Sequence, residues 1–205
     1  MVHYHGAKLL CVAFFDILVV FHAKLDSNRS FIMGSSRRTT DIDYKTKSLW
    51  TEDNVWWDQK GVIYYELLKP GETVNTERYR RQMIDLNQAL REKGPEYQKR
   101  QHKVILLHDN APSHTAKPVK ETIEAFSWEI LSHAAYSPDL APSDYYLSAS
   151  MGHALFDQHF TSYENVRKWL DDWFASKERQ FFWRGIHQLP DRWKKCIASD
   201  EQYFE

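Results

Sequence analysis

Two segments, KVILLHDNAPSHT at 103–115 and HAAYSPDLAPSDYYL at 133–147, constrain the fold of this chain more than anything else in it. They place Asp109 and Asp144 with 34 residues between them. Val104 to Leu107 is a short unbroken apolar run, the pattern of a buried strand, so Asp109 leaves that strand at its C-terminal end. Open α/β sheets keep their ligands there. Asp144 follows a Pro-rich loop and opens a helix. Two carboxylates presented this way suit a metal-dependent phosphodiester chemistry, because Mg²⁺ is held by a few carboxylates plus the substrate phosphate. The same residue type also caps helices and forms turns, and on residue type alone that reading stands beside the first.

The rest of the chain supplies a mixed α/β frame for the pair. Val55 to Trp57 and Val62 to Leu68, separated by Asp58-Gln59-Lys60-Gly61, predict a β-hairpin with a Gly-containing turn. Pro70-Gly71 ends its second strand. Asn75 and Glu77 then start a helix to about Lys93, with Tyr79, Met83, Leu86 and Leu90 on one face, and Gly94-Pro95 closes it. A helix over 117–126 and a strand over 128–131 follow the strand at 103–108. In the last third, Ser162 caps a helix with Val166, Trp169, Leu170 and Trp173 on one face, and Pro190 begins a last helix through Cys196. This order predicts one α/β domain. Trp56 and Trp57 read as strand core rather than as wedges between bases.

Residues 9–21, LLCVAFFDILVVF, resemble the apolar core of a signal peptide, but Asp16 interrupts the run and no small-residue cleavage site follows. The run is too short to cross a bilayer, so no membrane is expected. It reads as a buried strand or helix, or as the product of a misjoined coding region. From Leu25 to Asn54 the sequence turns polar without a sustained period, which predicts a loop or linker. The domain division is therefore 1–54, an atypical N-terminal segment with a polar linker, and 55–205, the main domain. Cys11 and Cys196 lie far apart, which points to neither a disulfide scaffold nor a zinc site. His108 and His114 flank Asp109, but with no third clear ligand they do not make a zinc site either. A net charge of −1 carries no global nucleic-acid signal, so any DNA contact must come from local stripes.

HDNAPSHTA, the 34-residue gap and YSPDLAPSDYYL resemble the segments that carry the second and third catalytic aspartates of the mariner transposases, the Mos-type members in particular. The likeness continues through WWDQKGVIYYELLKPGETVNTERYRRQ upstream and through ASMGHAL, SYENVRKWLDDWFASK and RGIHQLPDRWKKCIASDEQYFE downstream. It implies a ribonuclease-H-like core, a mixed sheet flanked by helices with a helical C-terminal part. It also implies cut-and-paste DNA transposition at a two-metal Mg²⁺ or Mn²⁺ site, with transposon ends and target DNA as partners, a homodimer, and a nuclear location. Asp109 and Asp144 are then catalytic metal ligands. The family's first catalytic Asp stands in a TGDEKW-like segment that this chain lacks, and counting back by the family spacing lands on Asp16. On that spacing Asp16 is the third candidate ligand. The family's paired helix-turn-helix domains have no room ahead of these segments, so the chain reads as a catalytic half.

Asn110 and His114 either orient Asp109 or touch substrate, or else His114 merely packs a turn. Pro138, Pro142 and Ser143 shape the loop that delivers Asp144. Arg78, Arg80 and Arg81, with Lys99, Arg100 and Lys103, form the densest basic stretch. It could track a DNA backbone, or be a solvated helix face paired with Glu77, Glu92 and Glu96. The alternative to an active transposase domain is a remnant that folds and at most binds DNA weakly or dimerises. A purely structural or protein-binding module leaves the two Asp segments unexplained.

Overall fold

The computed structural model describes residues 17–25, 51–69, 71–93, 104–131, 133–134, 137–156, 158 and 160–198. Among these, five strands form one sheet in the order β3-β2-β1-β4-β5. Strands β1 (Ile17–Leu25), β2 (Thr51–Asp58) and β3 (Gly61–Leu67) pair antiparallel, whereas β4 (Ile105–Leu107) runs parallel to both β1 and β5 (Glu129–Leu131). Helix α1 (Thr76–Glu92) carries the chain from β3 to β4, and the short α2 (Pro112–Thr115) with α3 (Lys117–Ala125) carries it from β4 to β5. A π-helical segment (Ser143–Ser148) and helices α4 (Ala149–Leu155), α5 (Tyr163–Ala175), α6 (Arg179–His187) and α7 (Leu189–Ala198) complete the order. The ribonuclease-H-like α/β architecture expected from the sequence is the one observed.

Local chemistry explains the element ends. The Asp58 carboxylate accepts from Lys60 N at 2.7 Å and Gly61 N at 3.2 Å, which closes the β2-β3 turn, and Gly61 holds a φ of 140° that other residues avoid. Asn75 Oδ1 accepts from Arg78 N at 2.9 Å and Ser162 Oγ from Asn165 N at 3.2 Å, so both helices start where their cap residues predict.

Alternation along β2 sends Trp56 and Trp57 to opposite sides of the sheet, each fully buried. Trp56 joins Tyr79, Met83, Leu86 and Leu90 of α1, together with Leu106 and α3. Trp57 joins Leu147, Met151, Leu170, Phe182 and Ile186 in a second cluster beneath the C-terminal helices. Each large apolar side chain so buried contributes about 1.5–3 kcal/mol. None of the described helices is long and apolar enough to cross a membrane.

Three expectations need correction. Thr51 to Asn54, read as linker, is the first half of β2, and Leu25 ends β1; their register partners are each other, Leu25 opposite Thr51. Pairing to a distant strand supplied what local composition could not show. The domain boundary at 54/55 is therefore crossed by a strand. Within its described part, residues 17–21, the apolar run forms a central strand beside β4, and that strand continues past the run to Leu25. Asp16, Cys11, Pro70 and Gly94-Pro95 lie outside the described residues. Helix α6 was not read as an element of its own; its buried or half-buried positions are Phe181, Phe182, Gly185, Ile186 and His187.

Leu106 is fully buried in the middle of β4, with the sheet on both sides. Leu106→Ala should lower unfolding stability by about 2–5 kcal/mol in urea titrations.

Candidate active site

Asp109 stands two residues beyond the end of β4 and is held from the α1 side. Its carboxylate accepts the backbone N–H of Ala111 at 3.1 Å and the Nδ1–H of His114. His114 is buried, and its ring stacks on Tyr79 with centroids 3.9 Å apart. Tyr79 is fully buried, and burial first, then the Asp109 charge, raise its hydroxyl far above the usual range. It stays protonated and donates to His108 Nδ1 at 3.0 Å. His108 can accept because burial above all, with His114 second, pulls its pKa down to about 4. Asn110 Nδ2 donates to the His133 carbonyl at 2.8 Å, tying the loop after β4 to the loop after β5. Of the alternatives open for His114, orienting Asp109 is the one this geometry favours, whereas Asn110 ties the loops.

Asp144 enters from the opposite side of the sheet, on the π-helical segment. Such wide turns recur at functional sites, where they re-aim a side chain. Pro142 precedes the segment, Asp144 N donates to Ala141 O at 2.8 Å, and Ser148 Oγ donates to Ser143 O at 2.7 Å. Ser143 Oγ accepts the Trp57 indole N–H at 3.0 Å in the core, so the residue before Asp144 is fastened to β2. Tyr145 OH donates to Gly185 O at 2.7 Å, while Arg192 lies 3.9 Å over the Tyr145 ring and donates to Asp139 O at 3.3 Å. Gly185 has no room for a side chain, since a Cβ there would stand 2.7 Å from the Tyr146 ring and 2.9 Å from that of Trp57. Helices α6 and α7 thus clamp the segment that carries Asp144.

The two carboxylates, 34 residues apart in sequence, are near enough to repel. Burial first, and the negative charge of Asp109 second, push the Asp144 carboxyl up to about 6. Asp16, the third expected ligand, lies outside the described residues. The neighbouring strand β1, ILVVFHAKL, contains no carboxylate of its own, and its register sets Val19 opposite Leu107. Among the described residues no three His, Cys, Asp or Glu side chains gather into a group that could hold a metal.

The basic stretch on α1 is largely committed within the fold. Arg78 bridges Glu66 at 3.1 Å and Glu72 at 2.9 Å, and Arg80 reaches Glu77 at 3.4 Å and Thr122 at 3.3 Å. Glu77 was the expected partner; Glu66 and Glu72 come from β3 and its exit. Lys99, Arg100 and Lys103 lie outside the described residues. Sequence reading missed the polar roles of Tyr79 and of the Trp57–Ser143 bond. The available signal was that a hydroxyl or indole N–H on a buried aromatic needs a partner.

A family model described as Transposase (partial DDE domain) matches residues 53–100. The Mariner Mos1 transposase of Drosophila mauritiana is 71% identical over 151 residues, covering 74% of this chain and 44% of the relative. The histone-lysine N-methyltransferase SETMAR of Homo sapiens is 33% identical over 159 residues, 74% of this chain and 22% of that protein. The Mos1 catalytic domain solved with raltegravir and Mg superposes with a TM-score of 0.85 at 54% identity, covering 99% of this chain and 92% of that one. The chain belongs to the mariner transposase family. This mariner chain also matches a pre-cleavage Mos1 transpososome, TM-score 0.86 at 54% identity over 98% of the chain and 62% of the match. A Mos1 paired end complex with Mn matches at TM-score 0.84 and 53% identity, over 98% and 60%. The mariner chain spans less than half the length of the two full-length relatives.

Ser143→Ala strands the buried Trp57 N–H and should cost about 1–3 kcal/mol in urea unfolding. Gly185→Ala should cost a similar amount, about 1–3 kcal/mol, by overpacking against Tyr146 and Trp57. Both should also shift the near-ultraviolet circular dichroism of the buried tryptophan.

Proposed function

We propose that this chain is the catalytic part of a mariner DNA transposase that cleaves DNA strands and transfers them at a divalent-metal site, with transposon ends and target DNA as substrates. The convergence of Asp109 and Asp144 carries the reading. Two mutually repelling carboxylates, one of them raised by burial and then by the charge of the other, fit a site whose chemistry calls for a cation beside them. Asp109 and Asp144 would hold Mg²⁺ or Mn²⁺, and Asp16 joins them as third ligand on the spacing argument. When bound, a two-metal centre lowers the pKa of an attacking water or 3′-hydroxyl and relieves charge on the leaving oxygen. His114 fixes the rotamer of Asp109, with Tyr79 bracing His114, and the Trp57–Ser143 bond fixes the height of Asp144. The solved Mos1 structures with Mg, with Mn and as a transpososome support a DNA substrate and a metal cofactor, and a homodimer acting in the nucleus follows from the same reading.

One observation favours a second reading, a folded remnant without turnover. Strand β1, which lies beside β4, brings no carboxylate between Ile17 and Leu25 to complete the pair. Asp16 decides between the two. Mn²⁺-dependent nicking of a DNA duplex that is lost in Asp16→Ala supports the active enzyme. Absence of nicking in both proteins establishes the remnant.

Metal binding can be read from stability without turnover. A carboxyl raised in the fold favours folding while protonated and loses that contribution as the pH rises from about 4 in the unfolded chain through about 6 in the folded one. Above about pH 6 the metal-free chain should therefore carry the full cost of ionised Asp144. At pH 8, Mg²⁺ or Mn²⁺ should raise the melting temperature of the chain. Asp144→Asn should raise it without metal and abolish the response to metal. Asp109→Asn should abolish the calorimetric Mn²⁺ isotherm, and an unchanged isotherm would sink the assignment.

A further inference from the structure

Helix α6 turns one face to the core and another to solvent. Phe182, Gly185 and Ile186 are buried, whereas Arg179, Gln180, Trp183 and Arg184 are exposed. Its sequence, RQFFWRGIH, contains two arginines and no acid. Arg179, Trp183 and His187 recur at four-residue spacing and so align along one stripe. The stripe has an aromatic centre. Trp183 keeps 38% of its surface exposed, and one face of its indole rests on the His187 imidazole, with centroids 3.9 Å apart and planes 19° from parallel. The His187 Nδ1–H donates to the Trp183 carbonyl at 2.9 Å, which fixes that ring as a backing plate. A large ring held flat from behind, with its edge and outer face to solvent, is a stacking surface rather than a core residue out of place.

The inner face of the same helix packs on the residues that follow Asp144. Gly185 O accepts from Tyr145 OH, next in sequence to Asp144, and the Phe181 ring packs on Tyr146 with centroids 4.9 Å apart. Arg184 lies close enough to Tyr146 for its charge to pull against the upward shift that burial gives that hydroxyl. Neither Arg179 nor Arg184 has an ion-pair partner among the described residues, in contrast to Arg78 and Arg80 on α1. Two uncommitted cations around one supported aromatic ring are the two ingredients of single-strand binding: charge for phosphates and a π-face for a base. A protein-docking surface would instead need a wider apolar centre, and the polar Gln180 and Gln188 share this face.

We propose that the exposed face of α6 is a DNA strand-tracking surface, on which Arg179 and Arg184 take phosphates and Trp183 stacks an unpaired base of the strand that runs past Asp144. The proposal rests on the reading of the chain as a DNA strand-processing domain and adds the surface that guides the strand. It shifts the candidate DNA contact away from Arg78 and Arg80 of α1, which are paired within the fold, to arginines of α6 that are not.

The test uses the whole chain with two fluorescent probes at several salt concentrations, a blunt duplex and the same duplex with an unpaired 3′ tail. The unsubstituted chain should bind the tailed duplex more tightly. Trp183→Ala should lose about tenfold on the tailed duplex and nothing on the blunt one, the size expected for one lost base stack. Trp183→Phe should restore most of that loss. Arg179→Gln with Arg184→Gln should weaken both probes and reduce the slope of log affinity against log salt by about 1.4 to 1.8, for two phosphate contacts. All these side chains are exposed, so melting temperatures and Mn²⁺ isotherms should match those of the unsubstituted chain. DNA binding that none of the substitutions alters overturns the surface and leaves the proposed function standing. Loss of self-association in these variants with DNA binding intact overturns it in favour of a second copy of the chain. If the unsubstituted chain binds neither probe, the proposed function falls first and the surface with it.

Discussion

The structure is organised around one unfavourable interaction, the approach of two negative carboxylates at the C-terminal end of β4. Asp144 is partly withdrawn from water and lies within reach of the charge of Asp109, and both effects, burial first, make it harder to ionise. An arrangement of that kind persists only when both backbones are held from behind. Asp109 is held by a relay that runs through His114 to a fully buried Tyr79 on α1. Asp144 is held by the indole of Trp57, the backbone of Gly185 and the cation of Arg192, which acts through Tyr145 and Asp139.

The two supports come from opposite faces of the same sheet. Trp56 and Trp57 are consecutive on β2, yet the first packs with α1, which braces Asp109, and the second packs with the helices that brace Asp144. The period of the strand thus links the two halves of the site across a single residue step. A change in either hydrophobic cluster moves one carboxylate relative to the other. This gives the aromatic content of the chain, 15% of its residues, a specific use: large rigid rings fix separations that smaller side chains would leave adjustable.

Much of this was legible beforehand. The run Val104–Leu107, the hairpin around Gly61, the caps Asn75 and Ser162, and the core roles of Trp56 and Trp57 all follow from local pattern, and each stands in the structure. The misreadings share a cause. Thr51 to Asn54 looks like linker because its strand character comes from pairing with β1, a distant segment. Arg78, open in sequence between a DNA contact and a helix face paired with Glu77, Glu92 and Glu96, is instead bound by Glu66 and Glu72, which lie on β3 and the turn beyond it. Gly185 gave no local signal at all, and its missing side chain is what lets α6 approach Trp57 and Tyr146.

The sequence by itself determined most of the elements and singled out Asp109 and Asp144 as the candidate pair, because strand runs, caps and turn residues act within a few positions of one another and the Asp segments are distinctive. Only the tertiary structure decided that Asp144 lies within reach of the charge of Asp109, that Tyr79 reaches the site through His114, and that Arg78 and Arg80 are paired within the fold. Each of these depends on contacts between residues tens of positions apart, whose geometry is set by how two clusters pack against a twisted sheet and not by the residues alone.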